Sequence, residues 1–150
     1  MSVTRRQNGE LAKDVRALAV FRRAYAASLD IHRSSLDFPK SEQFGGIADQ
    51  LRRSSKSVCA LLAEGVGRQH GSRIEFRRYV VMALGSVEES KLWCQYAVDL
   101  GYVGTERAAA WCQDYEEIGR MLQGLRRHLS TKTPIKKSSN AKSSILTSGN

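Results

Sequence analysis

Apolar residues recur every three to four positions along four stretches of the chain, which is the period of an amphipathic helix. The clearest stretch ends near residue 130, where six large apolar residues follow in steps of four, three, four, three and four: Trp111, Tyr115, Ile118, Leu122, Leu125 and Leu129. That spacing is typical of a helix that packs along one seam. The other stretches cover about residues 14–35, 41–65 and 72–100. The pattern therefore predicts four helices and no strand.

Turn and capping signals separate the predicted helices. Pro39 ends the first helix, because the residue before a proline is pushed out of the α region. Ser41 is the predicted N-cap of the second helix. Three glycines in residues 65–71 predict the next turn, and Ser72 and Glu75 then have the spacing of a capping box. The segment Gly-Tyr-Val-Gly makes the third turn. Since these connections are short, we predict an all-α, antiparallel up-down-up-down four-helix bundle.

The chain divides into three parts by composition. Residues 1–13 are polar and predict a flexible N-terminal lead-in, and residues 14–130 hold the four-helix bundle. Residues 131–150 contain four lysines, many serines and no acidic residue, which predicts a disordered basic tail. No apolar run reaches the roughly 20 residues that span a bilayer. We expect a cytoplasmic protein without a membrane partner.

The sequence gives little support for a catalytic or metal-binding site. Cys59, Cys94 and Cys112 are far apart, and no histidine has a ligand spacing from them. There is no Glu-x-x-His pair of the kind that holds di-iron sites in bundles, and no P-loop. Glu64 is expected to cap or bridge the turn at Gly65. We therefore expect no metal, no cofactor and no enzyme activity.

Charge is the strongest functional signal, because the chain carries 24 Lys and Arg against 15 Asp and Glu, a net charge of +9. The densest basic region has seven members, which are the candidate nucleic-acid-binding residues: Arg52, Arg53, Lys56, Arg68, Arg73, Arg77 and Arg78. Arginine suits phosphate because its planar fork donates two hydrogen bonds at once. If the second and third helices are antiparallel, both halves of this set approach the same hairpin. Arg16, Arg22 and Arg23 on the first predicted helix and Arg126 and Arg127 on the fourth are candidates to extend the patch, and the sequence does not determine where they lie.

A second interpretation of these charges stays open at this point. Exposed basic residues of a bundle are commonly solvated or held in weak ion pairs. The chain has acidic residues for such pairs in the stretch 88–117, within one chain or across subunits.

Several short segments together resemble the 23S rRNA intervening-sequence proteins. The segments are Phe38-Pro39, Glu42, Phe44-Gly45, Gln50-Leu51-Arg52-Arg53, Ser57-Val58, Ala63-Glu64-Gly65, Gly85-Ser86, Glu89 and Leu100-Gly101-Tyr102. The resemblance spans about residues 15–129. One departure is Leu61, which stands where the family usually has an asparagine, so a polar contact of that asparagine is missing here.

The resemblance implies a non-catalytic four-helix bundle that assembles into a ring-like homopentamer and binds nucleic acid, RNA in the first instance. Some members are encoded within inserts in 23S rRNA genes. Related bundles are accessory proteins of reverse transcriptases in diversity-generating retroelements, so a reverse-transcriptase partner is the alternative. The aromatic residues Trp93, Tyr96 and Trp111 are expected to be exposed and would fit an assembly.

Overall fold

A computed structural model describes residues 14–130 of the chain. Four long helices follow in the order α1 (Ala19–Ser35), α2 (Ile47–Arg68), α3 (Arg73–Asp99) and α4 (Thr105–Ser130). Two single-turn 3-10 helices, Val15–Ala17 and Lys40–Glu42, precede α1 and α2. The described part of the chain contains no strand, so the all-α prediction is confirmed. The predicted lead-in and tail lie outside the described residues.

The helices pack as the four corners of a square. Neighbouring contacts join α1 to α2, α2 to α3, α3 to α4 and α4 to α1, and between residues 14 and 130 no two Cα atoms of the diagonal helix pairs lie within 8 Å. Helices α2 and α3 are antiparallel, because Ser54 Oγ lies 2.9 Å from Ser90 Oγ while the Tyr79 hydroxyl donates to Glu64 at 3.0 Å. This arrangement is consistent with the predicted up-down topology.

The predicted seam of α4 lies in the core. Trp111, Tyr115, Ile118 and Leu122 are buried among apolar residues of the other helices. The Trp111 indole also donates a hydrogen bond of 2.7 Å to Asp30 Oδ2 on α1. Trp111 is therefore a core residue, and the expectation that it is exposed is wrong.

Helix α2 begins six residues later than predicted. Ser41 lies in the preceding 3-10 helix and is not the N-cap of α2. Instead, the chain turns at Gly45, whose φ of 74° is in the left-handed region that favours glycine. Glu42 Oε2 then accepts the Ile47 amide at 2.6 Å, so a carboxylate caps the helix from five residues upstream.

Helix α2 also continues beyond its predicted end at Gly65 and stops at Arg68. Gly65 is buried inside the helix against α3, where a Cβ atom would lie 2.8 Å from Phe76 Cδ2 and 2.9 Å from Tyr79 Cβ. This glycine permits a close helix approach and does not make a turn. Glu64 is likewise an exposed helical residue and not a cap. The predicted cap of α3 is confirmed, since Ser72 Oγ accepts the amides of Ile74 and Glu75.

Candidate nucleic-acid interface

The seven basic residues predicted from the sequence form two separate groups in the structure. Arg52, Arg53 and Lys56 lie in the first half of α2, while the other four surround the connection between α2 and α3. At 1.5 Å of rise per residue, Arg52 and Arg68 are about 24 Å apart along the helix. The antiparallel pairing places the start of α2 beside the end of α3. The expectation that both groups approach one hairpin is therefore wrong.

Arg52 holds the connection between α1 and α2. Its Nη1 donates to Ser35 Oγ at 2.9 Å and to Gln43 Oε1 at 3.1 Å, and its Nη2 donates to the Gln43 carbonyl at 3.1 Å. The Gln43 amide in turn donates to the Ser35 carbonyl at 2.8 Å. These bonds use guanidinium donors that a phosphate would need, so Arg52 acts within the chain.

Arg53 and Lys56 are exposed but have partners on their own bundle. Arg53 forms an ion pair of 3.2 Å with Asp49, and the Lys56 ammonium donates to His32 Nδ1 at 3.0 Å. Desolvation, followed by the charges of Lys56 and Arg52, lowers the pKa of His32, which keeps the imidazole neutral and able to accept.

The second group meets the last turns of α4 at one end of the bundle. Arg73 Nη2 donates to the His128 carbonyl at 3.0 Å, and Arg77 Nε donates to Ser130 Oγ at 2.6 Å. Arg126 and Arg127 line a shallow depression together with Arg77. We call this surface the basic end, and its members are Arg68, Arg73, Arg77, Arg78, Arg126 and Arg127.

The basic end has few carboxylates to offset its charge. Residues 64–78 and 122–130 contain these six arginines and only two acidic residues, Glu64 and Glu75. Arg68 is the arginine that uses one of them, at 3.4 Å from Glu64, with its guanidinium 5.5 Å from the Tyr79 ring centre. At the opposite end, residues 30–42 and 99–107 contain three basic and five acidic residues. The two ends of the bundle therefore carry net charges of opposite sign.

Cysteine, histidine and acidic side chains are the ones that could hold a metal ion. Within residues 14–130 no three His, Cys, Asp or Glu side chains are grouped to hold a metal ion. Burial raises the pKa of Cys94 to about 12 and that of Cys59 to about 11, so both are neutral thiols near pH 7. In the same part of the chain, no helix has both the length and the apolar character to cross a membrane.

Two features of the structure could not be predicted from the sequence. The role of Arg52 depends on Ser35 and Gln43, and no local signal marks that contact. The surroundings of Leu61 are also visible only in the structure, because its side chain is partly buried and packs against the apolar core.

The sequence matches a known protein family, and the fold matches a solved structure. The chain matches the family model for the 23S rRNA-intervening sequence protein over residues 16–124. A crystal structure from Bacteroides thetaiotaomicron, a protein of unknown function from the S23 ribosomal protein family, has the same fold. Its TM-score is 0.63 at 20% sequence identity, and the match covers 73% of this chain and 99% of that one. No functionally curated protein matches the sequence. The chain belongs to the 23S rRNA-intervening sequence protein family.

Proposed function

We propose that the protein is a non-catalytic, cytoplasmic nucleic-acid-binding protein that holds RNA against its basic end. The observation that carries this proposal is the gathering of six arginines from three helix ends against two glutamates. A cluster of this kind attracts a phosphate backbone over several ångströms. The family description, which names 23S rRNA, favours RNA over DNA.

Arg126 and Arg127 are the residues best placed to contact phosphate. Within residues 14–130 neither forms an ion pair with a carboxylate, and Arg126 donates only to Gln123, at 3.3 Å. Arg73 and Arg77 are held by the end of α4, so their positive charge is fixed beside the depression that Arg126 and Arg127 line. The surface therefore combines two arginines that are held in place with two whose guanidinium groups can still donate hydrogen bonds to phosphate.

Further positive charge follows the basic end in the sequence. Ser130 is the last described residue and lies at the basic end, and the 20 residues that follow it contain four lysines and no acidic residue. In this proposal those lysines extend the phosphate-binding surface.

We expect binding of a fluorescent single-stranded RNA to weaken steeply with salt. Each phosphate contact contributes about −0.7 to the slope of log K against log salt, so three to six contacts give a slope of about −2 to −4. Fluorescence anisotropy of the full chain between about 50 and 200 mM salt would measure it. An affinity that is flat across this range, or the absence of any binding at low salt, contradicts the proposal. The second result would favour a protein-only role, such as that of a reverse-transcriptase accessory subunit.

A further inference from the structure

The depression at the basic end adjoins a groove that runs between α3 and α4. Gln123 and Arg127 line both, so one wall is shared. The groove has a volume of about 490 Å³, within the range of roughly 300–1,000 Å³ that is typical of small-ligand pockets. We call it the α3/α4 groove, and its lining includes Leu84, Lys91, Glu116, Gly119, Gln123 and Arg127.

The floor of the α3/α4 groove is apolar. Leu84 of α3 is partly buried and packs against the core. On the α4 side, Gly119 has no side chain, and a Cβ atom there would lie 3.8 Å from Val87 Cγ1. The wall of α4 is therefore low between Glu116 and Gln123, which lie three residues before and four residues after this glycine on the same helix face. Such a floor suits the flat, apolar face of a nucleobase.

The rim of the groove has an acceptor and a cation close together. Glu116 is exposed and forms no ion pair within residues 14–130. Lys91 is partly buried, and its ammonium donates to Glu88 Oε1 at 3.3 Å, which holds it beside the groove. Burial, followed by the charge of Glu116, raises the pKa of the Cys112 thiol, and the charge of Lys91 opposes this. Both charged groups are thus within reach of one thiol on α4.

A carboxylate beside a cation matches the hydrogen-bonding edge of guanine. The Watson–Crick edge of this base has two neighbouring donors, N1–H and the 2-amino group, followed by the acceptor O6. An ionised carboxylate has two oxygens and only accepts, so it pairs with both donors at once. Adenine and cytosine have an amino donor beside an acceptor nitrogen, and uracil has one N–H between two carbonyl oxygens. A carboxylate therefore faces a repelling acceptor in each of these three bases.

We infer that the α3/α4 groove holds one unpaired guanine of the RNA that binds at the basic end. The base lies on Leu84 and Gly119. Glu116 accepts from its N1–H and 2-amino groups, and Lys91 donates to its O6. The phosphate next to this nucleotide then lies at Arg127, where the groove meets the basic end.

The inference rests on the proposed function, because the groove is reached from the basic end. It adds base selectivity to a surface that otherwise contacts only the phosphate backbone. It also requires a single strand, since the Watson–Crick edge of guanine is occupied in a duplex.

Fluorescence anisotropy of the full chain tests the inference with two RNA probes, a short oligouridine and the same oligomer with one central guanine. The guanine oligomer is expected to bind about tenfold more tightly, which is typical of one bidentate contact to a base edge. A third probe with adenine at that position is expected to bind within about threefold of oligouridine, because stacking alone discriminates little between bases.

Glu116→Gln is the decisive variant, because the amide replaces one acceptor oxygen with a donor that faces the donors of guanine. The tenfold gain is expected to fall to within about twofold, while the affinity for oligouridine stays within about twofold of the wild type. Glu106→Gln is the matched control, since it removes the same charge from an exposed residue at the other end of α4 and is expected to keep the gain. Circular dichroism checks that both variants retain their helices.

The two readouts separate this inference from the proposed function. Affinity for oligouridine reports binding at the basic end, and the ratio between probes reports the α3/α4 groove. Equal affinities for the first two probes, an adenine gain as large as that of guanine, or a Glu116→Gln protein that keeps the gain would each overturn the inference and leave the proposed function in place. A protein that binds none of the probes would overturn both.

Discussion

Replacing Arg52 with glutamine is expected to lower the free energy of unfolding by about 3 kcal/mol, because three charge-assisted hydrogen bonds are lost. The guanidinium joins Ser35 at the end of α1 to Gln43 in the connection before α2. Its removal leaves the partly buried acceptors Ser35 Oγ and Gln43 Oε1 without this donor. Arg52→Lys keeps the charge but not the planar fork, so it is expected to recover less than half of the loss.

Urea unfolding followed by circular dichroism measures this effect, and Arg33→Gln is the control. Arg33 is an exposed arginine near the same end of α1. Its replacement is expected to change stability by less than about 0.5 kcal/mol, as for most surface substitutions. Equal losses in the two variants would show that Arg52 has no special structural role.

Replacing Gly65 with alanine is expected to destabilise the protein by about 2 kcal/mol, although alanine is normally the better helix former by about 1 kcal/mol. The new Cβ would lie 2.8 Å from the Phe76 ring and 2.9 Å from Tyr79 Cβ. Helices α2 and α3 would have to separate, which loosens the packing of Phe76 in the core.

Gly119→Ala is the matched control for the Gly65 variant. A Cβ atom at Gly119 in α4 would lie 3.8 Å from Val87 Cγ1, which is an ordinary contact. Its replacement is therefore expected to stabilise the protein by about 0.5–1 kcal/mol. The two variants are thus expected to change the free energy of unfolding in opposite directions. A Gly65→Ala protein that is as stable as the wild type would contradict the close approach of α2 and α3.

The parts of the fold that depend on local spacing were predictable. The seam from Trp111 to Leu129 follows from the helical period alone, and the Ser72 cap follows from residues within one turn. The start of α2 was not predictable in the same way, since its cap is a carboxylate five residues upstream and a glycine turn lies between them. A glycine in a sequence signals either a turn or a close approach. Only the packing against Phe76 assigns Gly65 to the second class.

The candidate site was predicted in part. Its charge density was visible in the sequence, where Arg126 and Arg127 were two of five candidates to extend it. The division of the basic residues was not, because it depends on which end of α2 each one occupies after the helices pair. Arg52 shows the limit most clearly, since its partners Ser35 and Gln43 lie 17 and 9 residues away in the chain. The sequence alone does not show which arginines have guanidinium N–H groups that remain available to a ligand.

The most direct test of the central claim compares RNA affinity in two charge-neutralised variants. Arg126→Gln with Arg127→Gln removes two charges from the basic end, and Arg33→Gln with Lys40→Gln removes two from the opposite end. At about 100 mM salt the first variant is expected to bind RNA about tenfold more weakly than the wild type, with a salt slope about 1.5 shallower. The second variant is expected to bind within about twofold of the wild type. Equal losses in both variants, or a larger loss in the second, would contradict binding at the basic end.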